Sequence, residues 1–149
     1  MSNAKNLGND FEVAFKHMCH ISGVAVSQIY DGFIRVGAGG LLPKKQACDF
    51  VLSFNGKTAL VDCKTQGEGF TFAKSHVDQD QLDKMRSHHS HGTITGYIVY
   101  FRTAQKVVFF STTALEKDLR SIEDGMFLGP LIQCDIKKIF TYGQAKPQQ

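Results

Sequence analysis

Asp49, Asp62 and Lys64 lie within "DFVLSFNGKTALVDCK", which otherwise reads as a pair of buried strands. A carboxylate placed in an apolar core is costly unless something compensates its charge. Two carboxylates brought together are compensated by a divalent cation, and carboxylate oxygens with waters are the ligands Mg²⁺ prefers. A lysine beside them can orient a water or offset charge on a phosphoryl oxygen. These three residue types together therefore suit hydrolysis of a phosphate ester. For a lone D-x-K triplet, an exposed salt bridge between Lys64 and Asp62 would be the better reading. The second aspartate is what favours the metal.

The element that must position them is a hairpin. Asn55-Gly56 between two apolar runs is the strongest short-range signal for a two-residue turn. With those two residues in the loop, Phe54 faces Lys57. Counting outward then sets Asp49 opposite Asp62, with Cβ atoms roughly 4.5–5.5 Å apart. Lys64 is two residues past Asp62, so it shares that face. The other face carries Phe50, Phe54, Val61 and Cys63, a set suited to a core. The same register makes Cys48 and Cys63 neighbours on the core face.

Around the hairpin, the first element is a helix with an apolar stripe of Phe11, Ala14, Phe15, Met18 and Cys19. Asn6 or Asn9 is the expected cap, and Ser22-Gly23 the end. "VAVSQIY" and "GFIRV" read as one bent strand or two short ones. Residues 37–46, "GAGGLLPKKQ", read as a flexible loop carrying Lys44 and Lys45. "SHVDQDQLDKMRSHH" reads as a helix opened by Ser75 and Asp78, with Val77, Leu82 and Met85 as its apolar contacts. "TITGYIVYF" and "KVVFFS" are strands, and "TALEKDLRSI" is a third helix opened by Thr113 with Glu116. The order predicts an α/β fold: a mixed central sheet flanked by helices.

The chain of 149 residues fits one domain, with residues 1–6 and 143–149 loose, and its 42% apolar content is enough for a core. A net charge of +3 permits a polyanionic partner without demanding one. No 18-residue apolar run suggests a membrane span, and "MSNAKNLGNDFE" is too polar for an export signal. The four cysteines form no C-x-x-C pair and read as reduced thiols in a cytoplasmic protein. "HHSHG" cannot turn three histidines to one ion on a helix, and reads as a polar helix end. "GAGG" is followed by no G-K-[ST] and is not a phosphate loop. No Ser-His-Asp or Cys-His nucleophile set stands out.

The acid-led hairpin followed by "DCK" resembles the PD-(D/E)XK nuclease superfamily, whose core is restriction-endonuclease-like. Residues from about Cys48 to Phe101 are similar to the RecU-type Holliday junction resolvases. The likeness comprises the acid-led hairpin with a Gly turn, the acid-x-Lys triplet, the Phe-rich loop with Lys74, the Gln-apolar-acid-x-Met run from Gln81 and the strand "GYIVYF". The resemblance implies a metal-dependent endodeoxyribonuclease acting on four-way DNA junctions. Asp49 and Asp62 would hold Mg²⁺, with Mn²⁺ able to substitute, and Glu12 on the first helix would join them. Lys64 would position the attacking water, and Gln81 would orient the lysine or the phosphate. Asp62 stands where the family more often has Glu. The segment "GFIRVGAGGLLPKKQ" is a shorter counterpart of the family's projecting stalk, and Lys44, Lys45 and Lys74 would meet the DNA backbone. The alternatives are a flap- or restriction-type nuclease, or a DNA-binding module without catalysis. Glu12 reads equally as an exposed helix acid, and Gln81 as helix surface. Two nicks on a two-fold-symmetric junction call for two sites, and hence a homodimer.

Overall fold

The computed structural model describes residues 4–29, 32–36, 40–44, 48–116 and 119–141. Its centre is a six-stranded mixed sheet with a helix on each face, as the element order predicts. Helix α1 (Ala4–Ile21) lays Phe11, Phe15, Met18 and Cys19 against the sheet, the stripe its spacing demands. It begins at Ala4, so Asn6 and Asn9 lie inside it rather than at its cap, and residues 4–6 are helical. Its end is the expected one. Gly23 takes φ +75°, Val24 N–H donates to the Cys19 carbonyl and Gly23 N–H to that of His20, which closes the last turn.

Strands β1 (Ala25–Gln28), β4 (Phe50–Phe54) and β5 (Lys57–Gln66) run antiparallel in that order across the sheet. Phe54 pairs with Lys57 and Phe50 with Val61, the register that a two-residue Asn55-Gly56 turn dictates. Both turn residues have positive φ, 55° and 80°, which matches the twist of the strands they join. After β5 the chain crosses through α2 (Gln79–Ser90) and returns as β7 (Ile94–Phe101), parallel to β5. A parallel pair needs such a crossover. β8 (Lys106–Ser111) and β10 (Met126–Gly129) complete the sheet in antiparallel fashion.

β7 is buried on both faces, which explains why "ITGYIVYF" shows no alternation. Ile98 packs with the α1 side, along with Phe50, Leu52, Val61, Cys63 and Phe109. Tyr97, Val99 and Phe101 pack with Phe72, Leu82, Met85 and Phe110 on the α2 side. Gly96 is the close-packed point of β7: a Cβ there would lie 2.3 Å from the Phe110 carbonyl oxygen and 2.7 Å from the Phe109 ring.

Three expectations are corrected. Residues 40–44 are not loop: β2 (Gly32–Val36) and β3 (Gly40–Lys44) form a two-stranded antiparallel ribbon, because "FIRV" and "LLPK" find pairing partners in each other. "TALEKDLRSI" is not an α-helix. Residues Thr112–Glu116 form a 3-10 turn, and β9 (Leu119–Ser121) pairs with β6 (Thr71–Ala73). Leu115 is pulled into the α2-side core and Arg120 Nε–H donates to the Ala114 carbonyl, so the chain folds back instead of extending as a helix. Helix α2 is capped by Asp78 rather than Ser75, its side chain accepting from Gln81 N–H at 3.2 Å, while Ser75 lies in a preceding 3-10 turn. Val77, Leu82 and Met85 pack inward as expected. Among the described residues the aromatic surplus is mostly internal, with eight phenylalanines buried in the core. No helix among the described residues is long and apolar enough to cross a membrane.

Candidate active site

The hairpin places Asp62 on an inner strand, between β4 and β7, and not at a wetted edge. Its residue exposure is 1%. Neither carboxylate oxygen has a well-aligned hydrogen-bond partner among the described residues. The flanking charges are Lys64, whose Nζ sits 3.0 Å from Asp62 Oδ2, and the carboxyl of Asp49 alongside. Burial chiefly drives the Asp62 carboxyl well above the usual carboxylate range. The hydrogen-bonding carboxyl and charge of Asp49 push the same way, and Lys64 opposes them. Lys64 is itself one-third exposed, so its ammonium reaches from this buried acid toward solvent.

Asp49 is half-buried at a bend just before β4, where its carbonyl accepts from Ile29 N–H at 2.7 Å. That bend changes the expected neighbour of Asp49. Cys48 packs with Phe72, Tyr97 and Val99 on the α2 side, while Cys63 packs with α1 on the other face. The two thiols are therefore not neighbours on one core face. All four cysteines are free and buried. Burial, reinforced by the acids, raises the Cys48 thiol to about 11, and Cys63 also rises well above its ordinary value.

Glu12 comes into electrostatic range although α1 covers the opposite face. Partial burial raises its pKa first, Asp49 adds to that, and Lys16 and Lys64 lower it. Gln81, in the first turn of α2, lies over the same region: its Oε1 accepts a hydrogen bond from the Tyr97 hydroxyl at 3.2 Å. Tyr97 is the residue that sequence reasoning missed. It stands beside Asp62 in the parallel pairing of β5 with β7 and is fully buried. Burial, then the charge of Asp62, raises its phenol above the ordinary value. Within "GYIVYF" a tyrosine reads as core, and no local signal sets it apart.

Lys44 ends β3, and its side chain lies outside the described residues, as does all of Lys45. Lys74 opens the 3-10 turn after β6, again with its side chain outside the described set. His88 and His89 occupy the last turn of α2 and His91 its C-cap, a polar helix end. No group of three His, Cys, Asp or Glu side chains converges as a metal cluster among the described residues. A cation here would thus draw on two carboxylates and leave its other positions to waters or phosphate oxygens, as Mg²⁺ commonly does. The buried oxygens of Asp62, flanked by the Asp49 carboxyl and the Lys64 ammonium, fit that demand.

The architecture is the mixed central sheet flanked by helices that the element order predicts. A solved structure of this fold is that of Archaeoglobus fulgidus Hjc, a Holliday junction resolvase from an archaeal hyperthermophile. It matches with a TM-score of 0.57 at 16% identity, over 80% of this chain and 95% of that one. No family model matches the chain, and no curated protein matches it.

Proposed function

We propose that this protein is a divalent-metal-dependent DNA endonuclease that resolves four-way junctions by paired phosphodiester hydrolysis. The observation that carries the reading is Asp62. It is an acid buried on an inner strand, with only the Asp49 carboxyl and the Lys64 ammonium as its close charged neighbours. Keeping that carboxyl ionised in the core is costly, and a bound cation offsets the cost. The shared fold with a junction resolvase supports four-way DNA junctions as the substrate class.

In this reading Asp49 and Asp62 would hold Mg²⁺ or Mn²⁺, with Glu12 joining them from the margin of the site. Such an ion, when bound, supplies charge neutralisation at the scissile phosphate and a water of lowered pKa. Lys64 orients the attacking water and offsets charge as it builds on the phosphoryl oxygens. Gln81 donates from its amide to the phosphate. Lys44, Lys45 and Lys74 make the sequence-independent phosphate contacts that set the bulk of affinity. The free thiols suit a reducing, cytoplasmic setting. Two chains act as a homodimer, whose two-fold axis matches that of the junction.

A nicking assay on four-way and linear DNA, with Mg²⁺ and with chelator, tests the reading. Symmetric, Mg²⁺-dependent nicks in the junction are the expected result. Cutting of linear or flapped DNA at equal rate would reassign the enzyme to another nuclease type. No cutting of any DNA, with binding intact, would make it a DNA-binding module.

A further inference from the structure

We infer that the Tyr97 hydroxyl is a positioning group for Gln81, holding that amide over the acid pair with its donating end free for the substrate. The inference rests on the nuclease reading above and adds a residue to it. Three observations meet at Tyr97. Its ring is fully buried and wedged against Phe72, with ring centroids 5.9 Å apart, so the hydroxyl cannot wander. It lies next to Asp62 in the β5–β7 pairing, so it stands at the floor of the acid pair. Its hydroxyl donates to Gln81 Oε1 at 3.2 Å.

A side-chain amide has an accepting end and a donating end, and the two are interchanged by a half-turn about one bond. A phosphate oxygen can use only the donating end. With the buried phenol donating to Oε1, the side chain is tethered above Asp62 and its NH₂ group is left free to donate outward. Gln81 is only half-buried on the first turn of α2, so nothing in its own helix enforces that choice. The neighbouring residues show the alternative. Gln79 Nε2 donates to Asp83 Oδ1 at 2.8 Å, so an amide on this helix readily turns to an acid on the helix surface. Without the phenol, Gln81 would sample both orientations and other rotamers. Only part of the population would then present a donor to the phosphate. Orientation of this kind acts on the chemical step more than on ground-state DNA binding, which is dominated by phosphate charge.

The test is single-turnover cleavage of a four-way junction with Mg²⁺ by the wild-type chain, Tyr97→Phe, Gln81→Ala and the double variant, with DNA affinity and thermal melting measured beside it. Tyr97→Phe keeps the ring in the core and removes only the hydroxyl. The expected result is a cleavage rate lowered about tenfold, the scale of one hydrogen bond expressed in a barrier. Junction affinity should stay unchanged and melting remain cooperative. In the Gln81→Ala background the Tyr97→Phe change should have no further effect. A Tyr97→Phe rate equal to wild type would overturn the inference. So would an equal loss in the Gln81→Ala background, which would place the hydroxyl's action on Asp62 instead. A Tyr97→Phe chain that no longer melts cooperatively would make the hydroxyl structural and overturn it as well. Wild-type chain that cuts no DNA would overturn this inference and the nuclease reading together, whereas cutting by wild type with an unaffected Tyr97→Phe would overturn this inference alone.

Discussion

Lys64 Nζ lies 3.0 Å from Asp62 Oδ2, joining a one-third exposed ammonium to a carboxylate that is almost wholly buried. The two residues are two apart on one strand, so the pleat alone puts them on one face. The pair is unequal: the lysine can leave for solvent or substrate, and the acid cannot. An acid that keeps its place while its counter-charge moves is suited to a cation.

Removing either acid should stop the chemistry without stopping DNA binding. Asp49→Asn and Asp62→Asn are each expected to lower Mg²⁺-dependent nicking by at least about a hundredfold, the scale of losing a principal electrostatic group. Junction affinity should hold or improve, since one negative charge fewer faces the phosphates. Gel-shift titration alongside the nicking assay checks both halves. Wild-type nicking by either variant would refute the metal assignment.

The Asp62 carboxyl also makes stability depend on pH. Its pKa is raised in the folded chain, mainly by burial, so the folded state holds that proton more tightly than the unfolded state. Its contribution is therefore fully present below the ordinary carboxylate range and is lost progressively as pH rises from there through the raised folded-state value. Without divalent cations, the melting temperature should decline from mildly acidic to alkaline pH. Added Mg²⁺ should recover it most at the alkaline end, where the carboxylate is ionised. Asp62→Asn should flatten the decline and abolish the recovery. Thermal melts at several pH values, with Mg²⁺ and with chelator, decide it.

Lys64→Ala should slow the chemical step by about a hundredfold or more while leaving the fold intact, because the buried Asp62 carboxyl, its pKa already raised, can keep its proton once the ammonium is gone. Single-turnover kinetics separate the outcomes. A loss confined to DNA affinity, with an unchanged cleavage rate, would make Lys64 a phosphate anchor.

Assembly should match the target. Sedimentation is expected to show a homodimer. Competition binding should show tighter binding to four-way junctions than to linear duplex, persisting at moderate salt, where non-specific phosphate contacts weaken. A monomer, or equal affinity for the two DNAs, would favour a nuclease of another type.

Gly96→Ala tests the packing that holds the site. The added methyl would meet backbone and ring atoms at 2.3–2.9 Å in the middle of β7, one strand from Asp62. Overpacking of this kind costs about 1–3 kcal/mol. Denaturant melts should show it, and a variant as stable as wild type would mean that β7 can shift away from β8.

What the sequence determined by itself was whatever short-range chemistry specifies. Asn55-Gly56 dictates a two-residue turn, and a turn of known length dictates register, so the pairing of Phe50 with Val61 and the shared face of Asp62 and Lys64 were legible without a partner strand. The stripe from Phe11 to Cys19 and the stop at Gly23 were legible for the same reason, since helix period and cap chemistry act within a few residues. Tertiary structure decided the rest. The bend at Asp49 that parts Cys48 from Cys63 depends on where β1 and the α2-side core lie. The ribbon of β6 with β9 overrode the helical pattern of "TALEKDLRSI" because strand pairing and the burial of Leu115 outweigh local propensity. Tyr97 belongs to the site only because β7 pairs in parallel with β5 and α2 brings Gln81 above it. Those contacts join residues far apart in the chain, and residue type carries no mark of them until the sheet is assembled.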